Sequence, residues 1–438
     1  MNDQVITEYS THRSGLVIWS IVLLLLVYIG RINEVIPGMG DFPIAKVFYG
    51  LCTISFLMSS HRNSMSEYLR MPVFRKVLLL LGVAAVSVVF SIWPGGSLYT
   101  LTHSMLNNLL VMVLLVIVVG KEDLPMIGWG VAWSLFSLEI GAFLNRGDMV
   151  EEGRVGVGSL DPNDLAFVLV SFLPLIYFLR KRENGFPKLL LGLILILGLF
   201  AIVYTKSRGG VVGLAAIVAL ICYLETRSVV KALALIAVSA ALFLFLSPSS
   251  LLERFSSGEE AGVDYNVSIQ KGGISSGRTE IWKRGISLML DNPLLGTGPG
   301  TFELAEGRLH TDEATGISGK WSAAHNSFIQ TGSDMGVFAL IIFILMIKDS
   351  IVALKSPAHR GNDQDKASPD SLAWLANGTL VGIVGYSASG FFLSQAYSSV
   401  LYILIGLAML YGYHREEPSG GNEGAPEGGF PAPFGKRY

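Results

Sequence analysis

Charge is scarce in this chain: Asp, Glu, Lys and Arg make up 15% of its 438 residues, against roughly 25% in a soluble domain. Hydrophobic residues make up 51%. So few ions cannot cover a water-facing surface, and lipid is the expected solvent. Cysteine is almost missing. Cys52 and Cys222 are the two present, both inside apolar runs, which excludes a disulfide framework and leaves packing as their expected role. A net charge of -2, with no basic stripe apart from the ends of apolar runs, excludes nucleic acid as a partner. No small-residue cleavage site follows the first apolar run, so that run is read as a retained helix.

The apolar residues fall into about twelve blocks of roughly the 20 residues that cross about 30 Å of hydrocarbon as a helix. They are centred near Leu24, Tyr49, Ala85, Val113, Trp133, Leu173, Leu197, Ile217, Val238, Leu340, Gly385 and Leu404. A helix satisfies its own backbone hydrogen bonds, so the expected fold is an all-α polytopic membrane protein with about 12 transmembrane helices. The expected divisions are an N-terminal segment 1–13, spans one to nine over 14–247, a long loop over 248–325, spans ten to twelve over 326–413, and a tail over 414–438. That tail is rich in Gly, Pro and Glu and is expected to be disordered.

Cationic loops resist translocation, and the loops here alternate in charge. Arg62, Arg70, Arg75 and Lys76, Lys121, the Arg180–Lys188 cluster, Arg227 with Lys231, and Lys348, Lys355, Arg360 and Lys366 mark one side as cytoplasmic. The alternate short loops carry only Arg31, Arg146, Arg154, Lys206 and Arg208. With an even number of spans, Arg13 and Arg415 both fall inside, so both termini are expected in the cytoplasm.

Polar residues concentrate on the outward side. The loop between the ninth and tenth spans is long for a compact protein, as functional loops are, and it contains an amphipathic stretch with Trp282, Ile286 and Met289 on one face. Asn292-Pro293 ends that helix, and Gly296, Gly298 and Gly300 around Pro299 form a turn where backbone can approach a ligand closely. A very short outward hairpin, Thr205-Lys206-Ser207-Arg208-Gly209-Gly210, sets Arg208 at the membrane boundary; snorkelling to headgroups is the alternative to a site there. In the stretch from Arg154 to Asp164, Asp161-Pro162-Asn163 reads as a turn and helix cap. His325-Asn326 opens the tenth span, and taken alone such a pair is more often structural than catalytic. His103 and His310 are the outward competitors, neither in a comparably ordered context. A histidine and two arginines on one aqueous face are the groups needed to activate a hydroxyl against a phosphorylated donor.

In this order, SRGG at Ser207–Gly210, Arg278 with Trp282, NPLLGTGPGTF at Asn292–Phe302 and His325-Asn326 resemble the bacterial O-antigen ligase and polymerase family. The shared region covers roughly the second half of the chain, and the stretch from Arg154 extends it back. Where the family often has Glu followed by two glycines, this chain has Asp334, Gly336 and then Val337-Phe338. The resemblance implies a metal-independent, cofactor-free membrane glycosyltransferase of the bacterial inner membrane with its site facing the periplasm. Its donor would be an undecaprenyl-diphosphate-linked glycan, and its acceptor the lipid A core or a growing glycan. Under that reading Arg208 and Arg278 stabilise the departing diphosphate, because a guanidinium fork suits phosphate oxygens, and His325 deprotonates the acceptor hydroxyl. Lys206, Ser207, Trp282, Arg284, Asn326 and Arg154 are the implied substrate-binding residues, with Trp282 anchoring the loop helix at the interface.

Two other readings stay open. A metal-dependent transferase needs outward carboxylates, and Glu34 and Asp41 are available but lack paired-acid spacing. A flippase or transporter of lipid-linked sugars needs polar residues inside many helices, whereas Lys46 and Glu139 are nearly the only charges within the expected spans. Ligase and polymerase share donor chemistry, and the ligase reading is placed first.

Overall fold

The computed structural model describes residues 3–36, 38–39, 44–58, 63–144, 154–231, 233–234, 237, 278–309, 321–355 and 371–416. Among these the chain is helical, apart from one isolated bridge between Val157 and Leu160. In chain order the helices are α1 (Asp3–Tyr28), α2 (Ile32–Val35), α3 (Ile44–Met58), α4 (Met65–Arg70), α5 (Pro72–Val89) and α6 (Pro94–Val118). They continue with α7 (Leu124–Leu144), α8 (Pro162–Arg182), α9 (Gly185–Thr205), α10 (Arg208–Thr226) and α11 (Arg278–Asp291). The last are α12 (Phe302–Leu309), α13 (Ser327–Lys355), α14 (Ala373–Gly390) and α15 (Ser399–Glu416).

Seven of these, α5 to α10 and α13, are long and apolar enough to cross a membrane, and α1 carries a shorter apolar segment, Val17–Tyr28. The chain is thus a multi-pass membrane protein. Eleven of the twelve apolar blocks fall on a helix; the block near Val238 lies largely outside the described residues, as do Asp41, His310, most of the long loop and the tail from 417 onward. Large apolar side chains such as Val89, Leu79 and Phe200 are exposed on the outside of α5 and α9, where lipid rather than water would meet them.

Helix α8 is the centre of the bundle. Its sequence is apolar nearly all round, and residues from Leu165 to Leu179 are buried on every side except at Tyr177. Helices α7, α9, α10 and α14 surround it. Small residues let α14 come close: a Cβ at Gly378 would stand 2.7 Å from Leu175 Cα. This is the small-residue packing by which helices associate when no water drives them together.

Local signals fix the helix ends near the polar face. Asp161 caps α8, its Oδ1 accepting from the backbone N–H of Asn163 at 2.6 Å and of Asp164 at 2.8 Å, with Pro162 in the first turn. Ser207 caps α10 through the Gly210 N–H at 3.2 Å. Helix α13 is bent at Gly336, whose φ of 86° is open to glycine and costly for other residues.

Candidate functional site

The hairpin between α9 and α10 is held from below. Lys206 takes a left-handed conformation at φ 51°, Ser207 N–H donates to Thr205 Oγ1 at 3.2 Å, and Thr205 Oγ1 donates to the Ile202 carbonyl at 2.7 Å. Arg154 braces the same hairpin: its Nε donates to the Thr205 carbonyl at 3.1 Å and its Nη2 to Asn163 Oδ1 at 2.9 Å. One guanidinium therefore joins the segment before α8, the first turn of α8 and the loop that carries Arg208.

The connection after α14, residues 391–398, receives the other candidate segments. A Cβ at Gly209 would sit 3.3 Å from Phe392 Cβ, so the start of α10 lies against this connection. Trp282 of α11 packs its ring on Phe391 and Phe392, with centroids 5.3 and 6.3 Å apart. With Phe391 and Phe392 it forms an aromatic cluster whose Phe391 ring stays exposed. His325 is fixed to the same connection, its backbone N–H donating to Ser394 Oγ at 2.8 Å. Ser327 follows suit: its Oγ donates to the Leu393 carbonyl at 2.7 Å and accepts from the Gln395 N–H at 2.9 Å.

His325 itself is half-buried and left-handed, with φ 46°. Non-glycine residues adopt that conformation only where surrounding contacts impose it, and such positions cluster at functional sites. Asn326 is buried, and its Oδ1 accepts from the N–H groups of Phe328 at 2.9 Å and Ile329 at 3.0 Å. It is the N-terminal cap of α13. The cap sets the direction in which α13 leaves His325.

Two groups near the site were not legible as such. Glu306 of α12 is buried and makes an ion pair with Arg284 at 2.7 Å, while its other oxygen accepts from the Ser322 N–H at 3.0 Å. Arg284 is thereby engaged with Glu306, and the strand of chain leading to His325 is tied to the same carboxylate. Ile281, Leu288, Phe302, Ala305 and Ala324 close a small apolar cluster beneath them. The glycine-rich turn after α11 is the second case. Its backbone binds the bend of α13: Thr297 N–H donates to Ser333 O at 2.9 Å, Gly298 N–H to Asp334 O at 2.8 Å and Val337 N–H to Pro293 O at 2.8 Å. A Cβ at Gly336 would meet Leu294 C at 2.6 Å. Within the turn, Gly296 lies against the Asp334 and Met335 backbone, and Gly298 and Gly300 lie against the side chains of Ser91, Ser97 and Thr100. Asp334 is fully buried and accepts from the Gly300 N–H at 3.1 Å and the Tyr397 hydroxyl at 2.8 Å. Its carboxylate joins that turn to the 391–398 connection.

Among the described residues no group of three or more His, Cys, Asp or Glu side chains could hold a metal ion. Glu34 pairs with Arg31 at 3.1 Å and accepts from the Ser159 N–H at 2.6 Å. His103 is better ordered than its sequence context suggests. It sits in a π-helical turn, Leu101–Leu106, stacked on Tyr99 at 4.2 Å and hydrogen-bonded with Thr102 at 2.9 Å.

Residues 166–344 match the family described as O-Antigen ligase. The matched stretch begins just inside α8 and ends within α13, so it contains Lys206 to Arg208, Arg278 to Arg284, and His325 with Asn326. Arg154 and the 391–398 connection lie outside it. The resemblance to the O-antigen ligase and polymerase family stands on that stretch. No curated protein matches the chain.

Proposed function

We propose that the protein is an O-antigen ligase-type glycosyltransferase that moves a glycan from undecaprenyl diphosphate to an acceptor hydroxyl of the lipid A core on the periplasmic face of the inner membrane. The observation that carries this reading is convergence. The segments bearing Arg208, Trp282 with Arg278, and His325 all pack on one connection at one end of the bundle, within a chain whose residues 166–344 match the O-antigen ligase family.

The chemistry divides among these groups. His325 accepts the proton of the acceptor hydroxyl, and the oxygen bonds to the anomeric carbon as the bond from that carbon to the diphosphate breaks. The bonding pair leaves with the diphosphate, whose growing negative charge needs fixed cations and no proton. Arg208 and Arg278 supply them. Lys206 positions the donor, fully buried Ser207 holds the start of α10 beneath it, and Trp282 Nε1, buried without a hydrogen-bond partner among the described residues, is available to a substrate oxygen. Arg154, Arg284 and Asn326 act by holding the hairpin, the loop helix and the start of α13.

A polymerase uses the same donor chemistry and differs in the acceptor, a growing O-antigen or exopolysaccharide chain. The deciding experiment is transfer by the purified protein from a lipid-diphosphate glycan, offered lipid A core and a repeat-unit glycan in separate reactions. Product on the core alone supports the ligase, product on the repeat unit alone makes it a polymerase, and no product on either overturns the transferase reading.

A further inference from the structure

On the far flank of the 391–398 connection lies a cavity of about 400 Å³ that is lined by none of the nine site residues named above. Its walls come from the end of α1 and the turn after it, the π-helical turn of α6, the start of α8 and the start of α15. The volume is within the about 300–1,000 Å³ usual for small-ligand sites. We propose that this cavity holds an uncharged, polyhydroxylated segment of glycan against the connection that holds His325, an assignment that rests on the transferase reading.

The lining chemistry argues for sugar over the other ligands at hand. Phosphate would need unopposed cations. Arg31 is ion-paired with Glu34 at 3.1 Å, and the Asp164 carboxylate faces the same cavity. An acyl chain would meet hydroxyl and amide groups over most of the wall. Those groups instead supply the mixed donors and acceptors that read vicinal hydroxyls. Gln395 Nε2 donates to Asp164 Oδ1 at 2.6 Å, which fixes an amide and a carboxylate side by side. Asn33 Oδ1 is buried with no hydrogen-bond partner among the described residues, an acceptor that a ligand hydroxyl would satisfy. His103, stacked on Tyr99 at 4.2 Å, lines the same wall with a ring that can both donate and accept. π-Helical turns such as the one carrying His103 concentrate at functional sites.

The link to the reaction is short: one hydrogen bond and one peptide bond. Ser394 accepts the His325 N–H, and the next residue, Gln395, reaches into the cavity. A glycan held by Gln395 and Asp164 therefore lies next to the segment that orients the proposed base. The glycan could be the acceptor, or the sugar part of the donor, and both present the same hydroxyl chemistry.

The test uses the purified full-length protein in nanodiscs, with Asn33→Ala and Ser159→Trp. Ser159 is exposed at the cavity wall, so an indole there obstructs the cavity without entering the core. Loss of one hydrogen bond in Asn33→Ala should raise a glycan KM about 3- to 10-fold, and obstruction in Ser159→Trp by about tenfold or more, with kcat little changed. A rise confined to the acceptor KM identifies the acceptor, and a rise confined to the donor KM identifies the donor glycan. Unchanged KM values for both substrates in variants that unfold at the wild-type temperature overturn the proposal while leaving the transferase intact. If the wild type itself transfers nothing, saturation-transfer NMR with a phosphate-free oligosaccharide reads binding directly. Binding to the wild type that Ser159→Trp abolishes sustains the cavity assignment, and absent or unaltered binding overturns it.

Discussion

The backbone N–H of His325 donates to Ser394 Oγ at 2.8 Å across 69 residues of chain, so the residue read as the base is oriented by the connection between α14 and α15. A hydroxyl in that position contributes about 0.5–1.5 kcal/mol as a neutral hydrogen bond. Ser394→Ala should therefore slow transfer by about 3- to 10-fold while preserving its pH dependence. Steady-state rates across pH for this variant check the point, and a change in the shape of the profile counts against a purely orienting role.

His325→Ala should behave differently. Removal of a positioned proton acceptor costs about 10² to 10⁴ in rate, with donor binding nearly intact. In the wild type only neutral imidazole accepts a proton, so the rate should rise with pH as imidazolium is lost, and that rising limb should vanish in His325→Ala. Wild-type rates in the variant, or donor binding weakened as much as by an arginine deletion, would make His325 a structural residue.

Arg208→Ala and Arg278→Ala should each lose about 2 to 4 kcal/mol of leaving-group stabilisation, or about 10² to 10³ in rate. Lysine should restore activity only in part, because it keeps the charge and loses the fork. Full rescue by lysine would argue for simple charge attraction at the headgroup level. Since these two guanidinium groups take the place of a divalent ion in the proposed chemistry, transfer should also survive a chelator. Loss of activity in chelator, restored by magnesium or manganese, would move the assignment toward Glu34 or Asp41.

The buried Arg284–Glu306 pair predicts a stability effect. Removing one partner leaves an uncompensated buried charge, so Arg284→Met and Glu306→Leu should each destabilise the protein by about 3–5 kcal/mol, and the double variant should recover most of the loss. Thermal unfolding in detergent measures this. Independent, additive losses in the double variant would contradict the pairing.

Orientation in the membrane follows from the charge bias and has its own test. A cysteine at Ser276 should react with an impermeant reagent from outside, and one at Asn184 should be shielded. The reverse labelling would place the proposed site in the cytoplasm.

The sequence by itself determined that the apolar blocks fold as helices. Long apolar blocks become helices because lipid offers no partner for backbone N–H and C=O groups, so hydrogen bonds must close within each segment. Asp161 was readable as a cap for the same local reason: a cap acts two or three residues away, within reach of a sequence pattern. The candidate residues were readable only as polar exceptions at the ends of apolar runs. Their surroundings were decided by the tertiary structure. Nothing near Gln395 in the chain points to Asp164, 231 residues earlier, and nothing marks Glu306 as the partner of Arg284 or the glycine-rich turn as the brace of α13. Periodicity and capping are signals of short range. The choice of which polar side chains meet at one end of the bundle belongs to helix packing, in which α14 approaches α8 closely at Gly378, Gly382 and Gly385.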